Sequence, residues 1–567
     1  MNVILGISAS SGIGIGKAFV LPEEQEKIIP KEKISPEQIE EGWTRFQDAC
    51  AKVHESITTD LAALPKDDLH RVILETYQLM IADPVFLQEV KDSFEKSLYN
   101  IEYTLQSKTE EYADRLRNSG NDYLAERAQD IEDVFGKVID ILIDFKPFDI
   151  EQIPDKAIIV AKNIRTSDTV ILSKRKIAGI ATTEGGVSSH VAILAKSYGI
   201  PAVVGLEDIT SQVKQDELLV VDGNLGEVIT SPDAATLAQS KTKIAAELRY
   251  IEALKKFRNL PAVTGDGVEF KLYANIGSPE EAKIALEQGA DGIGLFRTEF
   301  LFMNTMQNST KKSLSFSSSA SEEAQFQAYK YVLETMKGKP VTIRTLDAGG
   351  DKIVESKELT YAKEKNPLMG LRAIRLSLFY PQIFRTQLRA LYRASVYGDL
   401  RIMLPLITDV SQVETVLGII KGVQISLKEN NIPFNPDVPV GIMIETAAAA
   451  ICSDCLAEKS KFFSLGTNDL TQYTIGIDRE NPSVAPYYNE FNLAVLRMIK
   501  LTIKNAKEAG IDISVCGEMA GRKESAIILA GMGMRHLSMS PKQIPIIKET
   551  LSNFSIQELE TLSNSLL

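Results

Sequence analysis

The chain reads as an α/β protein: an α/β domain interrupted by a helical bundle, followed by a (β/α)8 barrel. Three observations predict this. The hydrophobic period changes from strand-like to helical after the first twenty-odd residues and changes back near residue 146. Eight short apolar runs then recur through the second half, mostly separated by helical stretches. Finally, charged and polar residues sit at or near the C-terminal ends of those runs. The boundaries that follow are 1–22 plus 146–231 for the α/β domain, 23–145 for the helical insertion, 232–260 for a helical linker and 261–567 for the barrel.

Residues 1–20 alternate and are rich in small side chains, so they read as short strands. Periods of three and four then mark helices at Glu37–His54, Asp68–Ile81, Pro84–Ser97 and Asn121–Ile143. Short apolar runs return at Ala157–Val160, Ile177–Ala181 and Leu218–Val221. Residues 233–258 form one long charged helical pattern, closed by Pro261 and Gly265. The barrel runs are Lys271–Ile276, Asp291–Arg297, Pro340–Leu346, Leu400–Leu406, Val438–Glu445, Lys461–Thr467, Asp512–Cys516 and His536–Met539. Residues 304–323 are Ser-rich and read as a flexible loop after the second run.

Composition narrows the function. The chain has 567 residues, 44 % of them hydrophobic and 25 % charged, as expected of a globular protein of more than one domain. Its net charge of −13 argues against a general nucleic-acid binder. No apolar stretch is long enough for a transmembrane helix, and the N-terminus does not read as a signal peptide. Four cysteines are too few for a disulfide scaffold, so a cytoplasmic location is expected.

Four constellations carry chemistry. In Gly185-Gly186-Val187-Ser188-Ser189-His190 a Gly-Gly turn leads into a helix whose first turn holds His190. Free amides and the helix dipole there favour a negative charge and disfavour the imidazolium, which suits a histidine that becomes phosphorylated; a histidine packed at a helix start for structural reasons is the plainer alternative. Arg297, Arg344, Arg372, Arg375 and Arg479 offer guanidinium forks for phosphate or carboxylate oxygens, or equally a ring of rim salt bridges. Glu445 and Asp469 end the fifth and sixth runs, with Asn468 beside them as a neutral donor. Two neighbouring carboxylates suit Mg²⁺ with substrate completing its shell, or ion pairs with nearby arginines. Cys516 ends the seventh run and could deliver a proton or simply fill space. Cys452-x-x-Cys455 has no second metal pair and reads as packing rather than redox or zinc chemistry.

Taken together, these residues resemble enzyme I of the bacterial phosphoenolpyruvate-dependent sugar phosphotransferase system. The resemblance spans essentially the whole chain and rests on five motifs in order: Gly185–His190, Gly294–Phe300, Gly441–Thr446, Gly466–Tyr473 and Cys516–Ala520. It implies that the first domain is a swivelling phosphohistidine domain and that His190 is the phosphorylated nucleophile. It implies that Arg297, Arg344, Asn468, Asp469 and Arg479 hold phosphoenolpyruvate, that Glu445 and Asp469 bind Mg²⁺, and that Cys516 protonates the enolate carbon. The helical insertion would dock a small histidine-containing phosphocarrier protein, with Leu79, Met80 and Arg127 as contacts, and the barrel would form a homodimer.

Some positions depart from the family pattern. Val187 stands where Arg is usual, Arg165 where Thr is usual, Ala447 where Pro is usual, and Arg522 where an acidic residue is usual. The Ser-rich 304–323 stretch looks like an insertion. A phosphoenolpyruvate synthase or pyruvate phosphate dikinase would need a nucleotide-binding domain ahead of the histidine domain, and residues 1–22 leave no room for one. A non-catalytic regulatory relative is the other alternative, and the intact His190, Glu445, Asp469 and Cys516 argue against it.

Overall fold

The computed structural model describes residues 1–21, 29–63, 70–117, 122–144, 153–164, 175–185, 190–303, 321–349, 364, 366–479, 481 and 483–567. Val187, Arg165 and most of the Ser-rich stretch lie outside them. The chain divides into two units, Met1–Arg249 and Tyr250–Leu567, and the helix Ala234–Leu254 contains the point of division.

The first unit holds an eight-stranded sheet formed by β1 (Asn2–Leu5), β2 (Ile7–Ser10), β3 (Ile13–Val20), β4 (Ile158–Ala161), β5 (Gly179–Thr182), β6 (Ala202–Val204), β7 (Leu218–Asp222) and β8 (Glu227–Thr230). Their order is β1-β8-β7-β3-β4-β5-β6-β2, with β3 to β6 parallel and the flanking pairs antiparallel. The parallel centre is apolar throughout because both faces are covered. Ile158 and Val160 join one core with Val203 and Val221, whereas Ile159 and Ala161 join the other with Ile180 and Ala192. That is the two-residue period of a strand read directly from burial.

Between β3 and β4 the described residues form five α-helices: α1 (Ile39–Ala63), α2 (His70–Ile81), α3 (Pro84–Ser97), α4 (Ile101–Arg117) and α5 (Asp122–Leu142). Asp83 caps α3 by accepting from the Val85 amide, and Pro84 occupies the first turn, where its missing N–H is harmless. The bundle closes on Phe46, Phe86, Phe94 and Phe135, with the Phe86 and Phe135 rings 4.3 Å apart. The periodicity reading did not isolate α4. Its buried face mixes Ile101, Leu105 and Ala113 with Glu102, Thr104 and Thr109, so the apolar stripe is broken. Glu102 is tolerated there because Arg45 pairs with it at 2.7 Å.

The second unit is a closed barrel. Its strands are β10 (Glu269–Ile276), β11 (Ile293–Phe296), β12 (Val341–Arg344), β13 (Leu400–Leu404), β14 (Val440–Ile444), β15 (Phe462–Leu465), β16 (Asp512–Val515) and β17 (His536–Met539). Neighbours are parallel around the ring, and β10 pairs with both β11 and β17 to close it. A short β9 (Ala262–Val263) adds antiparallel to the start of β10. Each of the eight expected runs contains or overlaps one strand. Ile402, Ile442 and Phe463 join the large outer core, while Met403, Met443 and Phe462 meet Leu295 and Cys516 in a separate inner cluster. Alternate side chains thus fill the barrel interior, so the site above them has a solid floor.

Trp43 is the chain's one tryptophan; it lies in α1, 5.0 Å from the Phe46 ring, so its fluorescence reports on the bundle alone. Phe135→Ala should remove about 3–5 kcal/mol from the bundle. The expected result is a lower urea midpoint for the Trp43 transition. An unchanged midpoint would mean that the bundle core can collapse around the vacancy.

Candidate active site

The C-terminal ends of the barrel strands bring six of the eight predicted site residues onto one mouth beside a seventh, Arg297. Arg344 is the last residue of β12, Glu445 follows β14, Cys516 follows β16, and Asn468 and Asp469 lie in the helix Thr467–Ile475 that follows β15. Arg479 comes just after that helix, with its Nη2 3.6 Å from Asp469 Oδ1. Arg297 follows β11, is exposed, and has no ion pair among the described residues. His190 begins the helix His190–Tyr198 in the first unit; the backbone is described there, but its side chain is not. Val191, Ala192 and Ala195 bury that helix against the sheet.

The organising residue is Asp347, one residue beyond the expected run Pro340–Leu346 and without a role assigned from sequence. Its Oδ2 forms an ion pair with Arg344 Nη1 at 2.7 Å, and its Oδ1 accepts from Arg372 Nη2 at 3.0 Å. Glu299 adds a second brace, accepting from Arg344 Nη2 at 2.9 Å and from the Asp347 amide at 3.2 Å. Burial opposes ionisation of Asp347, but Arg344 and Arg372 outweigh it and hold the carboxyl below its ordinary range. Its place in the sequence, three residues beyond a strand-end arginine, is the signal that could have found it.

Asp347, Glu445 and Asp469 each bring a carboxylate oxygen within 4.8 Å of the others. Burial, then the charges of Asp347 and Asp469, push Glu445 well above the usual carboxylate range. Glu445 accepts the Leu406 amide at 2.6 Å and has no ion pair among the described residues. Burial likewise raises Asp469, with Asp347 adding to it and Arg479 opposing. The purely ion-paired alternative therefore accounts for Asp469, which has Arg479 beside it, but not for Glu445. Crowded, under-compensated oxygen donors are what a hard divalent cation relieves.

The neutral groups are fixed as well. Asn468 accepts the Glu518 amide through Oδ1 at 2.9 Å, leaving its NH2 without a protein acceptor among the described residues. Burial pushes the Cys516 thiol up to about 11, so it stays protonated at neutral pH, and its Sγ lies 3.7 Å from the Leu465 carbonyl. Gly466 lets this region close: a Cβ there would stand 2.9 Å from Glu445 Cβ and 3.0 Å from Met443 Sδ. Of the unusual residues, Arg522 pairs with Glu490 at 2.8 Å and Glu518 at 2.7 Å, and Ala447 opens the helix Ala447–Ile451.

The PEP-binding domain of PEP-utilising enzymes matches residues 251–556, the N-terminal domain of the same enzymes matches 5–127, and their mobile domain matches 153–226. The chain belongs to this family. It is 38 % identical over 571 residues to a phosphoenolpyruvate-protein phosphotransferase of Bacillus subtilis, covering 100 % of this chain and 97 % of that one. Relatives of the same name from Borreliella burgdorferi (37 %) and Staphylococcus aureus (36 %) each cover 99 % of this chain and 96 % of their own. The described residues contain no helix long and apolar enough to cross a membrane.

Asp347→Ala should destabilise the barrel by about 3–5 kcal/mol, because it strands Arg344 and Arg372 in a buried setting. Chemical unfolding followed by far-UV circular dichroism measures this. An unchanged barrel transition would show that the arginines find other partners.

Proposed function

We propose that this chain takes the phosphoryl group of phosphoenolpyruvate onto His190 and passes it to a histidine of a small phosphocarrier protein, releasing pyruvate. The observation that supports this best is the convergence of Arg344, Arg372, Glu445, Asp469 and Cys516 on one barrel mouth, in a chain whose full length matches phosphoenolpyruvate-protein phosphotransferases. That agreement also favours the enzymatic reading over a regulatory relative.

The chemistry follows from the residues. Arg297, Arg344, Asn468, Asp469 and Arg479 form a polar cradle for a multiply anionic substrate. Mg²⁺ bound by Glu445 and Asp469 would neutralise charge on the phosphoryl and carboxylate oxygens. The neutral His190 imidazole attacks phosphorus in line, and the P–O bond to the enol oxygen breaks. The Cys516 thiol then gives its proton to the enolate carbon, and pyruvate leaves. The α1–α5 bundle offers exposed Leu79 on α2 to the carrier protein, beside the partly buried Met80; the Arg127 side chain lies outside the described residues. A homodimer through the barrel belongs to the same proposal.

Incubation with radioactive phosphoenolpyruvate and Mg²⁺, without nucleotide, should give acid-labile, alkali-stable label on the intact chain and none on His190→Ala. Failure of the intact chain to label would overturn the enzymatic reading. Cys516→Ala should still take up phosphoryl from a phosphorylated carrier while losing at least about a hundredfold in pyruvate release.

A pH dependence follows as well. Glu445 and Asp469 are held above their ordinary range, and a protonated carboxyl is a poor ligand. Lowering the pH through that raised range therefore lets protons displace the cation. Mg²⁺ affinity, measured calorimetrically on His190→Ala, should fall as pH drops from about 8 to 5. A flat profile would count against carboxylate ligation.

A further inference from the structure

The pair Cys452 and Cys455 has no part in the chemistry above, and packing does not account for it, because both side chains are exposed. This corrects the expectation from sequence. The spacing alone predicts a helical run after Glu445 that packs the cysteines. Instead the helix Ala447–Ile451 stops, and a second, Ser453–Ala457, starts at once.

The junction fixes the geometry of the two thiols. The Cys452 amide donates to Ala448 O at 3.0 Å, and the Leu456 amide donates to Cys452 O at 3.1 Å. Residues 452–456 therefore make one helical turn, and positions 452 and 455 share a face. Helix dimensions put their Cα atoms about 5 Å apart, inside the range of about 4.4–6.8 Å that a disulfide spans. Between them Ser453 is fully buried: its Oγ accepts from Asn505 Nδ2 at 2.9 Å and donates to Ala450 O at 2.8 Å. The serine anchors the turn to the barrel and leaves both cysteines on the solvent side.

We propose that Cys452 and Cys455 form a redox-active dithiol that closes to an intrachain disulfide by exchange with low-molecular-weight disulfides, Cys452 attacking and Cys455 resolving. In the first step the Cys452 thiolate attacks one sulfur of the small disulfide; a mixed disulfide forms and one small thiol leaves. In the second, the Cys455 thiolate attacks the Cys452 sulfur; the intrachain bond forms and the second small thiol leaves. The two protein thiols lose two electrons and two protons, and the small disulfide is reduced to two thiols. The order of attack comes from the local charges. Asp454 most of all, with smaller contributions from partial desolvation, Cys452 and Glu458, disfavours the Cys455 thiolate. The thiolate is the reactive species, so the residue with the carboxylate beside it reacts second.

Reduced full-length chain is treated with oxidised glutathione, quenched in acid, alkylated and mapped by peptide mass. The intact chain should lose the mass of two hydrogens on the peptide that carries both cysteines. Cys455→Ser should stop at a single glutathionyl group on Cys452. Cys452→Ser should acquire glutathione on Cys455 about tenfold more slowly or worse, and adding Asp454→Asn should remove most of that difference. Both serine variants lie at exposed positions, and far-UV circular dichroism confirms that they fold. Two glutathionyl groups without an internal disulfide, no modification of the pair, or equal rates for the two serine variants would overturn the proposal.

Discussion

The barrel mouth depends on one buried arrangement: the Asp347 carboxylate shared between Arg344 and Arg372. Each oxygen takes one guanidinium, at 2.7 and 3.0 Å, so both arginines are held by a single side chain. Removing two buried cations from water is unfavourable unless they are paired, and Asp347 provides that pairing. Its own charge then disfavours ionisation of Glu445 and Asp469 nearby. The protein settles the arginines by unsettling the carboxylates. A site built this way is incomplete by its own electrostatics. A cation between the carboxylates and an anion on the remaining arginine donors, as in the proposed chemistry, would relieve it. Arg344 Nε and Arg372 Nε are both buried without a hydrogen-bond partner, which leaves such donors in place.

The same burial serves the thiol. Cys516 belongs to the inner barrel cluster with Leu295, Met403, Met443 and Phe462, directly at the end of β16. An apolar floor on one side and the polar mouth on the other keep its proton on at neutral pH while placing it beside the charged groups. A carboxylic acid in its place would join an already crowded set of carboxylates. A thiol brings a proton without adding a standing charge.

Much of this was legible from the sequence, and the reason is physical. Parallel strands of a barrel are covered on both sides, so they are written as continuous apolar runs, and all eight could be read. Their ends shifted by up to two residues, and by one where the terminal residue leaves the ladder, as with Arg297, Glu445 and Cys516. Long-range pairing was not legible: nothing local in Asn2–Leu5 states that it lies antiparallel to Glu227–Thr230. In the candidate site, strand-end position singled out Arg344, Glu445 and Asp469, which the structure brings to one mouth. Asp347 escaped because its importance lies in having two arginine partners at once, one of them 25 residues away in the chain. The helix α4 escaped for the opposite reason, since its buried polar residues conceal the stripe that a periodicity argument seeks.

The four cysteines divide by burial, and the division makes sense of both kinds. Burial raises the Cys50 thiol to about 12 and the Cys516 thiol to about 11. A thiol held so strongly in its protonated form is a poor nucleophile toward disulfides and peroxides, whatever its value as a proton donor. The property that would equip Cys516 for the proposed protonation is thus also one that makes it slow to oxidise. Cys452 and Cys455 are not shielded by burial, and they are the exposed thiols that oxidants in solution reach. They sit where the helix Ala447–Ile451 ends, while its other end follows Glu445 and Thr446. The two proposed thiol chemistries, exchange at the surface and proton delivery at the barrel mouth, are therefore compatible in one domain, kept apart by burial.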